Sequence, residues 1–223
     1  MDASERLSAA HARNIAAHEA RGDVLAFCDA DDIADPRWLE AIAAATAEHA
    51  VVGGRLDFGP LNRCHWPIVV DQEELEVHLD FMPAASSSNI AIHTAVFEEL
   101  GGFDESYASY GEDTDLSWRA QFAGYPLFYA KDAIILWRSR DSLEDWLRQV
   151  YKVGRVGARL YRDYGARGLR REQPVHVARG AASMVLHSPT ILRSREQRLF
   201  WAQWLAYRAG RLSGSWRNRV LFV

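Results

Sequence analysis

The stretch VLAFCDADDIADPRWLEAI, Val24–Ile42, changes character twice within 19 residues. Val24–Cys28 is apolar at every position, the pattern of a short strand buried on both faces. Asp29, Asp31 and Asp32 then crowd three carboxylates into four positions, which repel one another and favour neither strand nor helix. Asp35-Pro36 marks a helix start, with Asp as N-cap and Pro at the first helical position. That helix is expected to bury Trp38, Leu39, Ile42 and Thr46. A buried strand feeding a helix through an acidic turn belongs to α/β layer structures, where ligands gather at the carboxyl ends of strands. If strand geometry persists past Cys28, Asp29 and Asp31 share a face. Together they could chelate a hard divalent ion, which would remove the repulsion. Turn and capping duties are the competing explanation, and they account for Asp35.

The flanking sequence extends the same reading. Ser8–Ala20 reads as a helix with Ala12, Ile15 and Ala16 on one side, ended by Gly22. Val51–Phe58 reads as a strand weakened by Gly53-Gly54, and residues 60–83 as an irregular acidic segment with Pro60, Pro67 and Pro83. AASSSNIAI, Ala84–Ile92, reads as a strand entering a short helix, His93–Leu100. Glu112–Ala123 starts acidic and stops at Gly124, as a helix and its dipole favour. Leu127–Tyr129 and Ala133–Trp137 read as two strands. Ser142 with Asp145 makes a capping-box-like start to a longer helix carrying Leu143, Leu147, Val150 and Tyr151 on one face. Two further helices are expected at Val175–His187 and Glu196–Gly210. Within the Ser142 helix, Gly154 and Gly157 suit close helix packing.

A chain of 223 residues, 48% hydrophobic, can bury one good core with a small appendage. The opening MDASERLSAAH has no apolar h-region, and no apolar run reaches the roughly 20 residues that span a bilayer, so the expectation is a soluble cytoplasmic protein. Cys28 and Cys64 are too few for a disulfide framework and are expected to be buried small hydrophobes. Charge is divided unevenly: residues 1–130 hold 7 Lys and Arg against 23 Asp and Glu, residues 131–223 hold 19 against 7. This asymmetry suggests an acidic α/β region, 1–140, able to hold cations, and a basic helical region, 141–223. The basic part would suit phosphates, a membrane surface or nucleic acid, or simply a solvated face.

A second acidic cluster lies in GFDESYASYGEDTDLSWR, Gly102–Arg119, with Glu112, Asp113 and Asp115 at a helix N-terminus. An Asp pair for a metal plus a separate carboxylate as base is what transfer from a diphosphate leaving group requires. Over roughly residues 9–155 the ordered set resembles the family 2 glycosyltransferases of the glycosyltransferase A fold. That set is the Ala-Arg-Asn helix, Gly-Asp, an apolar strand, Asp-Ala-Asp-Asp, a helix after Pro, Gly-Gly-Phe-Asp-Glu and Glu-Asp-x-Asp-Leu. The resemblance implies a partial Rossmann-like mixed sheet, a nucleotide-sugar donor, a divalent metal (Mn2+ or Mg2+) and inversion at the anomeric carbon. By the same likeness Asp29 and Asp31 match the metal and diphosphate motif, and Asp32 its last Asp, whose role varies. Asp113 matches the catalytic base, Glu112 a residue orienting the acceptor, and Arg13 and Asn14 the helix near the donor nucleotide.

Two departures stand out. Relatives open with βαβ units that hold the nucleobase, so starting at Met1 the chain is expected to lack roughly 60 residues of that segment. Many relatives also carry a metal-binding His near the end of the last strand, where AIILWRSRDS has none; Arg138 and Arg140 are candidates to neutralise the departing diphosphate. Trp146, Trp201, Trp204 and Trp216 amid many arginines suggest either helices packed on the catalytic layer or peripheral contact with the inner face of an anionic membrane. A glycan or lipid-linked acceptor would suit the latter, and no nucleic-acid motif is found. The rival readings are a truncated, non-catalytic glycan- or partner-binding module, and a haloacid-dehalogenase-like phosphatase with Asp29 as nucleophile. The second needs a Lys before its last acidic motif, but Lys131 and Lys152 both follow GEDTD.

Overall fold

In the computed structural model, which describes residues 8–62, 72–107, 110–186 and 194–222, the apolar run is strand β1, Val24–Phe27. Before it comes α1 (Ala9–Glu19), capped by Ser8, whose Oγ accepts from the His11 N–H at 3.2 Å. The strands that follow are β2 (Ile33–Ala34), β3 (Val51–Asp57), β4 (Val77–His78), β5 (Met82–Pro83), β6 (Ile90–His93) and β7 (Leu127–Leu136). Between them lie the helices α2 (Trp38–Thr46), α3 (Thr94–Glu99) and α4 (Glu112–Phe122). Five strands form one mixed sheet in the order β1-β6-β3-β7-β2, with β3 and β7 parallel and the other pairs antiparallel. β4 and β5 make a separate two-stranded ribbon.

Period-two alternation divides the core between the sheet's two faces. Val51, Leu25, Ile90 and Ile92 pack with Phe97, Phe103 and Leu116 on one side. Val52, Ala91, Ala130 and Ala133 meet Ile42 of α2 on the other. The alanines on this second face, with Ala41 and Ala45, let α2 approach the sheet closely.

Asn89 is the joint of the sheet. The register between β3 and β7 jumps at Gly54/Arg55, from Gly54 opposite Ala130 to Arg55 opposite Ile134. The Asn89 amide fills that gap, donating to the carbonyls of Arg55 and Ala133 at 2.8 Å each and accepting from Trp38 Nε1 at 2.8 Å. Its own carbonyl accepts from the Gly54 N–H at 2.8 Å. A Cβ on Gly54 would sit 2.5 Å from the Ala133 carbonyl oxygen and closer still to the Asn89 amide. The glycine pair that weakened the strand pattern is therefore what admits this clamp.

Several local expectations are corrected. Ala12 and Ala16 face solvent, and α1 turns Ala10 and Ala17 to the core with Arg13 and Asn14 half-buried beside them. Arg37, not Asp35, is the N-cap of α2; Asp35 instead bonds the Arg37 N–H at 2.9 Å. Leu39 is 66% exposed, because α2 rests on the sheet through Ile42 and Trp38. The two strands expected at 127–137 are one, bent at the Asn89 joint. Cys28 is exposed, and Cys64 lies outside the described residues.

The described residues divide into two compact units, one within 8–139 and the other within 140–222. The second contains α5 (Leu143–Tyr164), a 3-10 turn (Gly165–Arg167), α6 (Pro174–Leu186) and α7 (Arg195–Asn218). Ser142 caps α5, but Leu143 is exposed, and α7 continues past Gly210 to Asn218. α5 and α7 run parallel, since their contacts advance in step: Trp146 with Leu199, Gly154 against Tyr207, Gly214 against Arg155, Arg162 with Asn218. A Cβ at Gly154, Gly210 or Gly214 would meet the facing backbone, so these glycines set the helix separation.

Asn89→Ala should leave two buried carbonyls and the Trp38 N–H without partners and lower the unfolding free energy by about 3 kcal/mol. Gly54→Ala should cost at least as much, and Trp38→Phe, which loses one bond, only about 1 kcal/mol. Urea denaturation midpoints of the three variants check this order.

Candidate active site

β1 ends at Phe27, so strand pleating is not what gathers the acidic residues. A turn does so: the Asp32 N–H bonds the Asp29 carbonyl at 3.3 Å, and the chain folds back into β2. Asp29, Asp31 and Asp32 each thereby offer a carboxylate oxygen within 4.8 Å of the others. Because β2 pairs antiparallel with the end of β7, the residues after β7 lie against this turn. Arg138 accordingly donates its backbone N–H to Asp32 Oδ1 at 2.8 Å and its Nε to the Asp31 carbonyl at 2.8 Å. Arg140 falls in the second unit.

The turn stores electrostatic tension. The Asp32 carboxyl is pushed up to about 6, mainly by burial and then by Asp29 and Asp31, against the lowering effect of the Arg138 N–H. Its Oδ2 is buried with no hydrogen-bond partner. Three clustered carboxylates, one of which carries a buried oxygen without a partner, fit a divalent cation such as Mn2+ or Mg2+. Cys28 beside them is held as a thiol, its pKa raised by local burial and by Asp29 and Asp32.

The second acidic motif meets the first through one side chain. Arg13 donates Nη2 to Asp29 Oδ1 at 2.6 Å and Nη1 to Glu112 Oε1 at 3.0 Å, with its guanidinium 5.8 Å from the centre of the Phe103 ring. Glu112 is buried, and its second oxygen, Oε2, has no hydrogen-bond partner. Burial, reinforced by the neighbouring Asp113, lifts its carboxyl to about 7 despite Arg13. Asp113 points elsewhere: the Ser87 N–H reaches Oδ2 at 3.2 Å and the Thr114 N–H reaches Oδ1 at 2.7 Å, which fixes the carboxylate's orientation. Asp115 has a structural duty, bonding Arg119 at 2.7 Å while that arginine clamps the Leu100 and Gly102 carbonyls.

Asn14 is committed to the Gly-Gly-Phe-Asp-Glu loop. It accepts from the Phe103 N–H at 2.9 Å and donates to the Phe103 carbonyl at 2.9 Å and to Glu105 at 3.1 Å. Ser87 and Phe103, which orient Asp113 and back Arg13, escaped the sequence reading. The run Ser86-Ser87-Ser88-Asn89 carried a signal, four polar residues leading into a buried apolar strand.

Residues 3–98 match the sequence model of the family described as Glycosyl transferase family 2. Over 88 residues the chain is 36% identical to the N-acetylglucosaminyl-diphospho-decaprenol L-rhamnosyltransferase of Mycobacterium tuberculosis, in strains CDC 1551 / Oshkosh and ATCC 25618 / H37Rv alike. That alignment covers 40% of this chain and 27% of the relative, so the chain matches about a quarter of the relative's length. The mannosyltransferase PcManGT from Pyrobaculum calidifontis, solved in complex with GDP-Man and Mn2+, is similar in fold, with a TM-score of 0.63 at 13% identity. The likeness covers 96% of this chain and 68% of that one. The chain thus has the glycosyltransferase A fold, a mixed sheet flanked by helices, with a helical C-terminal part.

Glu112 makes a pH prediction. A carboxyl held at about 7 in the folded protein and near 4.5 when unfolded keeps a proton that the unfolded chain has lost, so stability falls as pH rises between those values. Wild type should lose up to about 3 kcal/mol across that window relative to Glu112→Gln. Parallel denaturation series from pH 4 to pH 8 measure the difference.

Proposed function

We propose that this chain, whose residues 3–98 match the family 2 glycosyltransferase model and which has a glycosyltransferase A fold, moves a sugar from a nucleotide-diphosphate donor to an acceptor hydroxyl with inversion. The observation that carries this reading is the Arg13 bridge, which joins the acidic turn to Glu112, the residue before Asp113 at the start of α4. Asp113 is the base. It takes the proton of the acceptor hydroxyl while that oxygen bonds to the anomeric carbon, and the bond from that carbon to the diphosphate oxygen breaks. Asp29, Asp31 and Asp32 hold the divalent cation, which supplies charge compensation to the departing diphosphate. Arg138, anchored to the turn by its backbone and Nε, adds a second positive charge on the same side.

The remaining roles follow from hydrogen-bonding capacity. Glu112 Oε2 is an acceptor without a partner and suits an acceptor-substrate hydroxyl. Arg13 acts on the donor side by positioning Asp29, and Asn14 by holding the Phe103–Glu105 loop under Arg13. The relative's decaprenol-diphosphate-linked acceptor supports a lipid-linked or cell-envelope glycan acceptor here. The working location in this reading is the inner face of the membrane; among the described residues no helix is long and apolar enough to cross one.

Asp113→Asn keeps the shape and one of the two backbone hydrogen bonds, since its amide nitrogen cannot accept, and it removes the base. Assayed with a panel of nucleotide sugars that includes GDP-mannose, transfer should fall by about 10²–10⁴-fold while nucleotide binding stays within a few-fold of wild type. Near-normal transfer by the variant would overturn the assignment of the base.

A further inference from the structure

α7 is apolar on two opposite sides. Its inner side, Gly210, Gly214 and Leu199, packs on α5. At 100° per residue, Leu205, Leu212 and Trp216 share the outer side, at spacings of seven and four. They are 54%, 59% and 88% exposed. A helix with a second apolar stripe opposite its packed side normally has that stripe covered too, and an indole this exposed is costly in water. The stripe extends about 16 Å along the helix, at 1.5 Å per residue.

Cations frame the stripe. Arg198 lies seven residues before Leu205 on the same side, and Arg217 and Arg219 follow Trp216; all three are exposed and make no ion pair among the described residues. Glu196, the one acidic residue of α7, falls on the opposite side of the wheel. Residues 140–223 together carry 17 Lys and Arg against 6 Asp and Glu. Such a surplus opposes pairing with a second copy of the same surface, whereas a bilayer of anionic lipid satisfies both halves of the pattern. Leucines enter the acyl boundary, the indole sits at headgroup level and the guanidinium groups meet the phosphates. A nucleic acid would satisfy the arginines but leave the leucines exposed.

We propose that the outer side of α7, Leu205, Leu212 and Trp216 framed by Arg198, Arg217 and Arg219, docks the second unit on an anionic membrane surface. Vesicle co-sedimentation of the full chain tests this without donor, metal or acceptor, so its outcome is separate from that of the Asp113 assay. Binding to phosphatidylcholine vesicles containing one-third phosphatidylglycerol is expected, weakening steeply from 50 to 300 mM salt. The double variant Leu212→Ser/Trp216→Ser should lose at least about tenfold in vesicle affinity, and neutralising the three arginines to Gln about 100-fold. Because these side chains are exposed, circular dichroism and thermal midpoint should match wild type. Equal binding to pure phosphatidylcholine, no binding to either vesicle, or unchanged binding by the double variant each overturns the proposal. So would concentration-dependent self-association, or vesicle-independent binding to an oligonucleotide duplex, that the double variant abolishes.

Discussion

One guanidinium ties together the two acidic segments of this fold. Arg13 lies between Asp29, at the end of the first strand, and Glu112, at the start of α4, and bonds both. Without it, four carboxylates of the turn and of Glu112 would converge with little to offset them, two of them already forced toward their neutral forms. Ion pairs that are partly buried are sensitive to removal of one partner, because the other is left charged and desolvated. The helix that delivers Arg13 must therefore be held firmly. It is held by Asn14, one residue on, which bonds the Phe103 backbone on both its donor and acceptor sides. A Cβ on Gly102 would come 2.8 Å from Asn14 Oδ1, so the glycine preceding Phe103 is part of the same fit.

This dependence explains which parts of the fold were legible in the sequence. The elements around the acidic motifs were, since apolar runs, caps and glycine stops are local signals: β1, α3, α4 and the Ser142 start of α5 all appear where the pattern puts them. The facing of α1 was not. Hydrophobic periodicity nominated Ala12 and Ile15, whereas the helix is oriented by polar bonds of Arg13 and Asn14 to residues about 16 to 99 positions away. Nor was the origin of the acidic cluster. A strand would have aligned Asp29 with Asp31 alone; the turn adds Asp32, whose Oδ2 is buried without a partner and whose carboxyl burial pushes up. Asn89 was hidden for a similar reason, because its partners on β3, β7 and α2 meet only once the sheet has formed.

Within the second unit the same contrast holds. Gly154 read correctly as a packing residue, because a missing side chain on a helix face has few other uses. Tryptophan was less informative by itself: Trp146 is buried against Leu199, whereas Trp216 stands almost wholly in solvent. Composition marked the region as basic and aromatic, and only the helix register sorted packing aromatics from outward ones.

The central claim is that the Asp29–Asp32 turn is a cation site that gives a nucleoside diphosphate its footing. Calorimetric titration of the full chain with GDP and UDP, in Mn2+ and in EDTA, tests it most directly. The account predicts binding by at least one nucleotide that needs Mn2+, weakened at least about 100-fold by Asp31→Asn, with the thermal midpoint of the variant close to wild type. Nucleotide binding of equal strength in EDTA, or unchanged by Asp31→Asn, would contradict it.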